Sequence, residues 1–287
     1  MPDLKGKVAV VTGASRGVGK GIALGLGEAG ATVYVTGRTL DDDDQPENRP
    51  PGSLRRTVRE LEELGGHGVA VRCDHRRDDE VAAVFERVRA EQGRLDVLVN
   101  NVWGGYEDMH EGNAFTWERP FWEQPLHRWD AMFGAGVRAH YVASQQAARM
   151  MVAQGHGLIA NISFFAGQKY LANVAYGVAK AATDRLAADM AHELRGHGVA
   201  ALSLYPGLVR TEGVMFAANG LPPEERDRWL SNSESPQFSG RVVAALAADL
   251  DIMQRSGQVL VVAALAREYG IADIDGKRPR PLTVEEA

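Results

Sequence analysis

"KVAVVTGASRGVGKGIALGLGEAGATVYVTGR", residues 7–38, carries the reading of the fold. A β-branched run at 7–13 ends in glycine. A helical pattern follows at 17–31, with Ile22, Leu24 and Leu26 turned inward, and a second run at 32–37 closes the unit. Strands that are apolar on both faces, alternating with helices, imply a parallel sheet covered on both sides. The alternation continues. Further runs lie at 68–74, 95–101, 157–163, 198–206 and 257–263, which makes about seven strands. The charged amphipathic stretch 54–66 reads as a helix closed by glycine. "VLVVAALA" (259–266) reads as a buried strand with a following turn. No repeat or linker interrupts the pattern. The expectation is α/β: one Rossmann-like, doubly wound domain over residues 1–287, with an inserted charged loop at about 41–53.

Composition narrows the function. The chain has 287 residues, 45% hydrophobic and 24% charged, which suits one large globular domain. The net charge of −6 and the lack of a basic block argue against a nucleic-acid partner. A single cysteine, Cys73, excludes an intrachain disulfide and fits a reducing compartment. The N-terminus lacks a long apolar segment of the signal-peptide kind, and no apolar run is long enough to span a membrane. The expectation is a cytoplasmic protein. The eight histidines are scattered at no metal-binding spacing.

"TGASRGVG" (12–19) stands where the first strand meets the first helix. Gly13, Gly17 and Gly19 let the backbone approach a pyrophosphate, and the helix N-terminus supplies free N–H groups. The second strand ends at Gly37, with no acid for an NAD ribose, and Arg38 follows. Arg38 and Arg16 suit a 2′-phosphate, and the acidic run starts only at Asp41. NADP(H) is therefore the expected cofactor, with NAD(H) possible. "NVAYGVAK" (173–180) places Tyr176 and Lys180 one helical turn apart on one face.

Together these motifs resemble the classical short-chain dehydrogenase/reductase family over roughly residues 5 to 265. "TGASRGVG" matches its cofactor motif, "CD" (73–74) its adenine-side acid, and "NNVWG" (100–104) is a variant of its N-N-A-G. "YGVAK" (176–180) matches Y-x-x-x-K, and "PGLVRT" (206–211) matches P-G-x-x-x-T. The tail "LAREYGIADIDGK" (265–277) looks like the branch called dehydrogenase/reductase family member 1. The resemblance implies that Tyr176 exchanges a proton with a carbonyl or alcohol oxygen. Lys180, the positive charge of the oxidised nicotinamide and a dry site would together lower the Tyr176 pKa from about 10, and Lys180 would also bond the nicotinamide ribose. Cofactor contacts would fall on Gly13, Ser15, Arg16, Gly17, Val18, Gly19, Arg38, Asp74, Asn101, Tyr176, Lys180, Pro206, Gly207, Val209 and Thr211. It also implies a homodimer or homotetramer formed through long helices such as 127–153 and 174–196.

Two positions depart from the family. Its catalytic serine lies thirteen residues before the tyrosine, which gives Ser163, but alignment on Gly167 puts Phe164 there instead. Ser163 is either the partner of the carbonyl oxygen or a buried structural serine, because one step along a strand turns a side chain to the opposite face. The family's asparagine in W-D-x-x-x-x-x-N is Gly136, which leaves the proton relay to water on backbone carbonyls. Ser163, Phe164, Tyr170 and Trp103 are the substrate candidates, with a substrate loop at about 103–126 and a lid at about 212–238. Trp117, Phe121, Trp122 and Trp129 either line an apolar cleft or pack elsewhere. The expected activity is NADP(H)-dependent hydride transfer between the nicotinamide and an aldehyde, ketone or secondary alcohol. The alternatives are a non-catalytic NADP-binding protein and an NAD-dependent alcohol dehydrogenase.

Overall fold

In the computed structural model, residues 2–44, 50–106, 109–111 and 114–287 are described. Parts of the inserted loop (45–49) and of the substrate loop (107–108, 112–113) lie outside them. The strands are β1 (Val8–Thr12), β2 (Thr32–Gly37), β3 (His67–Arg72), β4 (Val97–Asn100), β5 (His110–Glu111), β6 (Ala114–Phe115), β7 (Gly157–Ile162), β8 (Val199–Tyr205) and β9 (Val259–Val261). The helices are α1 (Gly17–Glu28), α2 (Leu54–Glu63), α3 (Asp78–Gln92), α4 (Leu126–Met132), α5 (Ala139–Gln154), α6 (Val174–Leu194), α7 (Glu212–Asn219), α8 (Pro223–Trp229), α9 (Pro236–Ala248) and α10 (Val262–Glu268).

Seven strands form one parallel sheet in the order β3-β2-β1-β4-β7-β8-β9, and β5 and β6 form a separate antiparallel pair. Alternate side chains of each strand serve opposite faces. Ala9, Val11, Val33 and Val99 pack with Ile22, Leu26, Leu61 and Val242 from the α1, α2 and α9 side. Val8, Val10, Leu98 and Ile159 pack with Val84, Phe85, Ala147 and Met151 of α3 and α5. That is the doubly wound arrangement, and the strand order reverses between β1 and β4, where such sheets bind their ligands.

Two local findings differ from expectation. The apolar run 259–266 is a three-residue strand that turns directly into α10, so the helix claims Val262 and Ala263. Between α4 and α5 the chain forms a π-helical turn, Phe133–Arg138, around Gly136. Helices α1 and α9 meet at backbone distance. A Cβ on Gly21 would lie 2.1 Å from the Pro236 carbonyl carbon, and one on Gly25 would lie 2.3 Å from that of Gly240. This contact anchors α1, whose first turn carries the glycine loop.

Candidate active site

The glycine loop is stitched to the end of β4. The Asn101 side-chain amide donates to the Thr12 and Gly13 carbonyls, each at 3.0 Å. Gly13 and Gly17 adopt positive φ, +69° and +59°, which favours glycine. At Gly19 a Cβ would lie 2.3 Å from the Asn101 amide nitrogen. Arg16 occupies the N-cap of α1 without a side-chain cap bond. The Gly17 N–H instead donates to the Glu212 carboxylate at 2.9 Å. That carboxylate stands in for an anionic ligand group at a helix N-terminus, so the loop fits a pyrophosphate.

At the end of β2 the Arg16 guanidinium donates to the Gly52 carbonyl at 2.8 Å and to the Thr39 hydroxyl at 3.3 Å. The inserted loop thus lies along the glycine loop. Its acids are drawn to α2, with Asp41 pairing with Arg55 at 2.8 Å and Asp42 with Arg56 at 3.0 Å. Asp74 is held down to about 2, chiefly by hydrogen bonds from Arg76, with the Arg38 charge contributing.

Tyr176 and Lys180 are both buried on the first turns of α6. The N-cap Asn173 accepts from the Tyr176 N–H at 3.1 Å and donates to the Trp117 carbonyl at 3.0 Å. The Lys180 ammonium donates to the Ile162 carbonyl at the end of β7, 3.2 Å away, and lies 4.4 Å from the centre of the Trp103 ring. Trp103 and Trp117 meet the Tyr176 ring edge-on, with centroids 5.7 and 5.6 Å away. Burial lowers Lys180 to about 8. It also pushes Tyr176 well above its ordinary value, and the neighbouring Tyr106 hydroxyl pushes the same way. Without the nicotinamide charge, burial is the dominant influence on the Tyr176 phenol and it favours the protonated form.

The Ser163 hydroxyl is buried and donates to the Lys180 carbonyl at 3.2 Å. It also faces the Asp184 carboxylate, which accepts from the Tyr205 hydroxyl. Phe164, one residue on, turns to the other side and packs, as Trp103 does, against the cluster that contains Tyr176, Trp117 and Met132. The oxygen beside the Tyr176 hydroxyl is that of Tyr106, at 3.5 Å. Tyr170 is 70% exposed and lies outside this cluster. At Gly136 a Cβ would lie 2.7 Å from the Trp103 ring. The indole therefore fills the space into which a side chain at this position would project. His140, one turn later, places Nε2 3.0 Å from the Val102 carbonyl. Burial, then the Lys180 charge, holds it down to about 3.

The 206–211 loop reaches the same cleft. A Cβ on Gly17 would lie 3.6 Å from the Thr211 methyl, and the Thr211 hydroxyl caps α7. Beneath this loop the Gly207 N–H donates to the buried Glu234 carboxyl at 3.1 Å, and burial pushes that acid up to about 8. Asp273 of the C-terminal tail accepts from the Ser235 N–H at 2.7 Å and from Arg210 at 3.3 Å, which ties the tail motif to the loop.

Sequence reasoning did not single out Tyr106, Glu212 or Glu234. The pairing of an extra ring at Trp103 with a missing side chain at Gly136 was a legible volume exchange. No local pattern marks Tyr106. Of the other aromatic candidates, Trp117 joins the Tyr176 cluster, Trp129 stacks on Phe133 at 4.1 Å, and Phe121 and Trp122 pack on each other while exposed. The wall is held by the buried Arg128, which donates to the Thr116 carbonyl at 2.8 Å and to its hydroxyl at 2.6 Å. No described helix is long and apolar enough to cross a membrane.

Residues 7–220 match the short chain dehydrogenase family model. The chain is 49% identical over 281 residues to dehydrogenase/reductase SDR family member 1 of Mus musculus, covering 96% of this chain and 85% of that protein. It is 46% identical over 284 residues to the Homo sapiens protein of the same name, with the same coverage. Among solved structures it resembles a 7 alpha-hydroxysteroid dehydrogenase complexed with NADH and 7-oxo glycochenodeoxycholic acid. There the TM-score is 0.72 at 26% identity, over 90% of this chain and 93% of that one. With the sheet order, the glycine loop and the Tyr176–Lys180 turn already placed, these similarities lead to one conclusion: the chain belongs to the short-chain dehydrogenase/reductase family of oxidoreductases, in the branch of dehydrogenase/reductase family member 1.

Proposed function

We propose that this protein is an NADP(H)-dependent oxidoreductase acting on an aldehyde, ketone or secondary alcohol of moderately apolar character. The observation that carries the reading is the buried Tyr176–Lys180 turn, linked through Trp103 and Asn101 to the glycine loop. The nicotinamide, when bound, supplies or takes the hydride. In the reducing direction Tyr176 gives its hydroxyl proton to the carbonyl oxygen as the carbon receives the hydride. The O–H bond of Tyr176 breaks, an O–H bond forms on the product, and the phenolate is left beside the Lys180 ammonium. Lys180, fixed by the Ile162 carbonyl and the Trp103 face, orients the ribose side. The rings of Trp103, Trp117 and Phe164 exclude water and hold an apolar substrate.

Preference for NADP(H) is supported by Gly37 at the end of β2, by Arg38 after it, and by the pairing of Asp41 and Asp42 with α2. The 2′-phosphate falls to Arg16 and Arg38. Of the two readings of Ser163, its bond to the Lys180 carbonyl supports the structural one. The single buried cysteine supports a reducing, cytoplasmic setting. Exposed Tyr141 on α5 and Val174 and Val178 on α6 support a second copy docking along these helices, which sedimentation would test. The functional test is a panel of carbonyls and alcohols with both cofactors. NADPH-linked turnover is expected. Tight NADPH binding without turnover of any panel member would favour the non-catalytic binder.

A further inference from the structure

We propose that Tyr106 supplies the second hydroxyl that holds the substrate's carbonyl oxygen, in the role that a strand-end serine plays elsewhere in the family. The inference rests on the reading of Tyr176 as proton donor. The strand end has no hydroxyl to offer. Ser163 is turned onto the Lys180 carbonyl, and Phe164 is the residue on the Tyr176 side. The Tyr106 hydroxyl lies 3.5 Å from that of Tyr176. That separation is at the outer limit of a hydrogen bond, so the two hydroxyls are close enough for one oxygen beside the pair to reach both. An oxygen atom about 2.7 Å from each would accept from both.

The Tyr106 ring is fixed by neighbours. Its centroid lies 6.1 Å from Trp103, 5.8 Å from Trp117 and 6.4 Å from Tyr176, all within aromatic packing range. The residue is 56% exposed overall while its hydroxyl lies against that of the buried Tyr176, so Tyr106 reaches from the surface to the proton donor. Burial around the phenol raises its pKa, which keeps the proton on as donor. Tyr106 transfers nothing. It donates a hydrogen bond to the oxygen while negative charge grows there, and Tyr176 alone gives up a proton.

The test uses the full chain, the best substrate of the panel, and three variants: Tyr106→Phe, Tyr176→Phe, and Tyr106→Phe combined with Phe164→Ser. Each is checked for folding by circular dichroism and for NADPH affinity by fluorescence titration. Tyr106→Phe keeps the ring and should lower kcat on the order of 100-fold, with NADPH affinity unchanged. Restoring a hydroxyl at the strand end with Phe164→Ser should recover about tenfold or more of that loss. Turnover of Tyr106→Phe within about threefold of wild type, with Tyr176→Phe inactive, would show Tyr106 to be wall only. Full turnover in Tyr176→Phe would overturn the proton-donor reading itself, and this inference with it.

Discussion

Around the glycine loop, backbone meets backbone. Asn101 bonds two carbonyls, and a single added carbon at Gly19 would lie 2.3 Å from that amide. Around Tyr176, rings meet rings, and Trp103, Tyr106, Trp117 and Phe164 enclose the phenol by packing. A constant anionic ligand is best met by N–H groups and a helix end, which any sequence can present if its side chains stay out of the way. A particular organic substrate is met by side-chain shape, which each sequence must supply for itself. The first region accordingly keeps the family's pattern. The second departs from it, with Gly136 where the family has asparagine, Trp103 within the variant of N-N-A-G, and Phe164 beside the strand-end Ser163.

The sharpest test of this contrast is Tyr176→Phe. It should cut carbonyl reduction by ~3 kcal/mol or more in transition-state stabilisation while NADPH still binds, as stopped-flow binding and steady-state rates would show. Lys180→Ala should harm both NADPH binding and turnover, since in the proposed mechanism this residue serves both Tyr176 and the nicotinamide ribose. Arg38→Asp probes only the cofactor side. It should weaken NADPH by ~2 kcal/mol and spare NADH in parallel titrations. Equal loss for both cofactors would remove the phosphate contact from the account.

Glu234 gives a pH-dependent test. Its folded pKa, about 8, lies above the ordinary glutamate range, and Asp273 and Arg210 are its charged neighbours. The native protein therefore holds a proton that the unfolded chain has lost, so stability falls as pH rises from that range to about 8. Glu234→Gln should flatten this slope in urea midpoints measured at about pH 6 and about pH 9. Ala172 has a positive φ of 59° just before the cap of α6. Ala172→Gly should relieve about 0.5–1 kcal/mol of strain, seen as a small rise in Tm. Tyr170→Ala should change turnover by less than about twofold, because that ring is exposed and apart from the cluster.

The strands β1 to β4, β7 and β8 are legible because β-branched runs bounded by glycine leave few alternatives, whereas the two-residue strands β5 and β6 fall within the stretch read as a substrate loop. β9 was read too long, since Val262 and Ala263 are as apolar in a buried helix as in a strand. The Tyr176–Lys180 turn is local and could be read from spacing alone. The facing of Ser163 was not, because it depends on which neighbour its hydroxyl finds across the sheet–helix layer. Tyr106 was missed for a related reason. It sits on a loop, and its partner is seventy residues away. Burial of the phenol is equally invisible in the sequence, because it depends on rings from distant loops.

The close approach of α1 and α9 bears on how tolerance to substitution should be interpreted. Gly21, Gly25 and Gly240 admit no side chain, although all three lie along the far reach of the helices. A library of random variants should lose these positions as thoroughly as it loses Gly13 or Gly19. A map of forbidden substitutions would thus paint one continuous stripe from the cleft down the α1–α9 seam, and only its upper end would mark where a ligand sits.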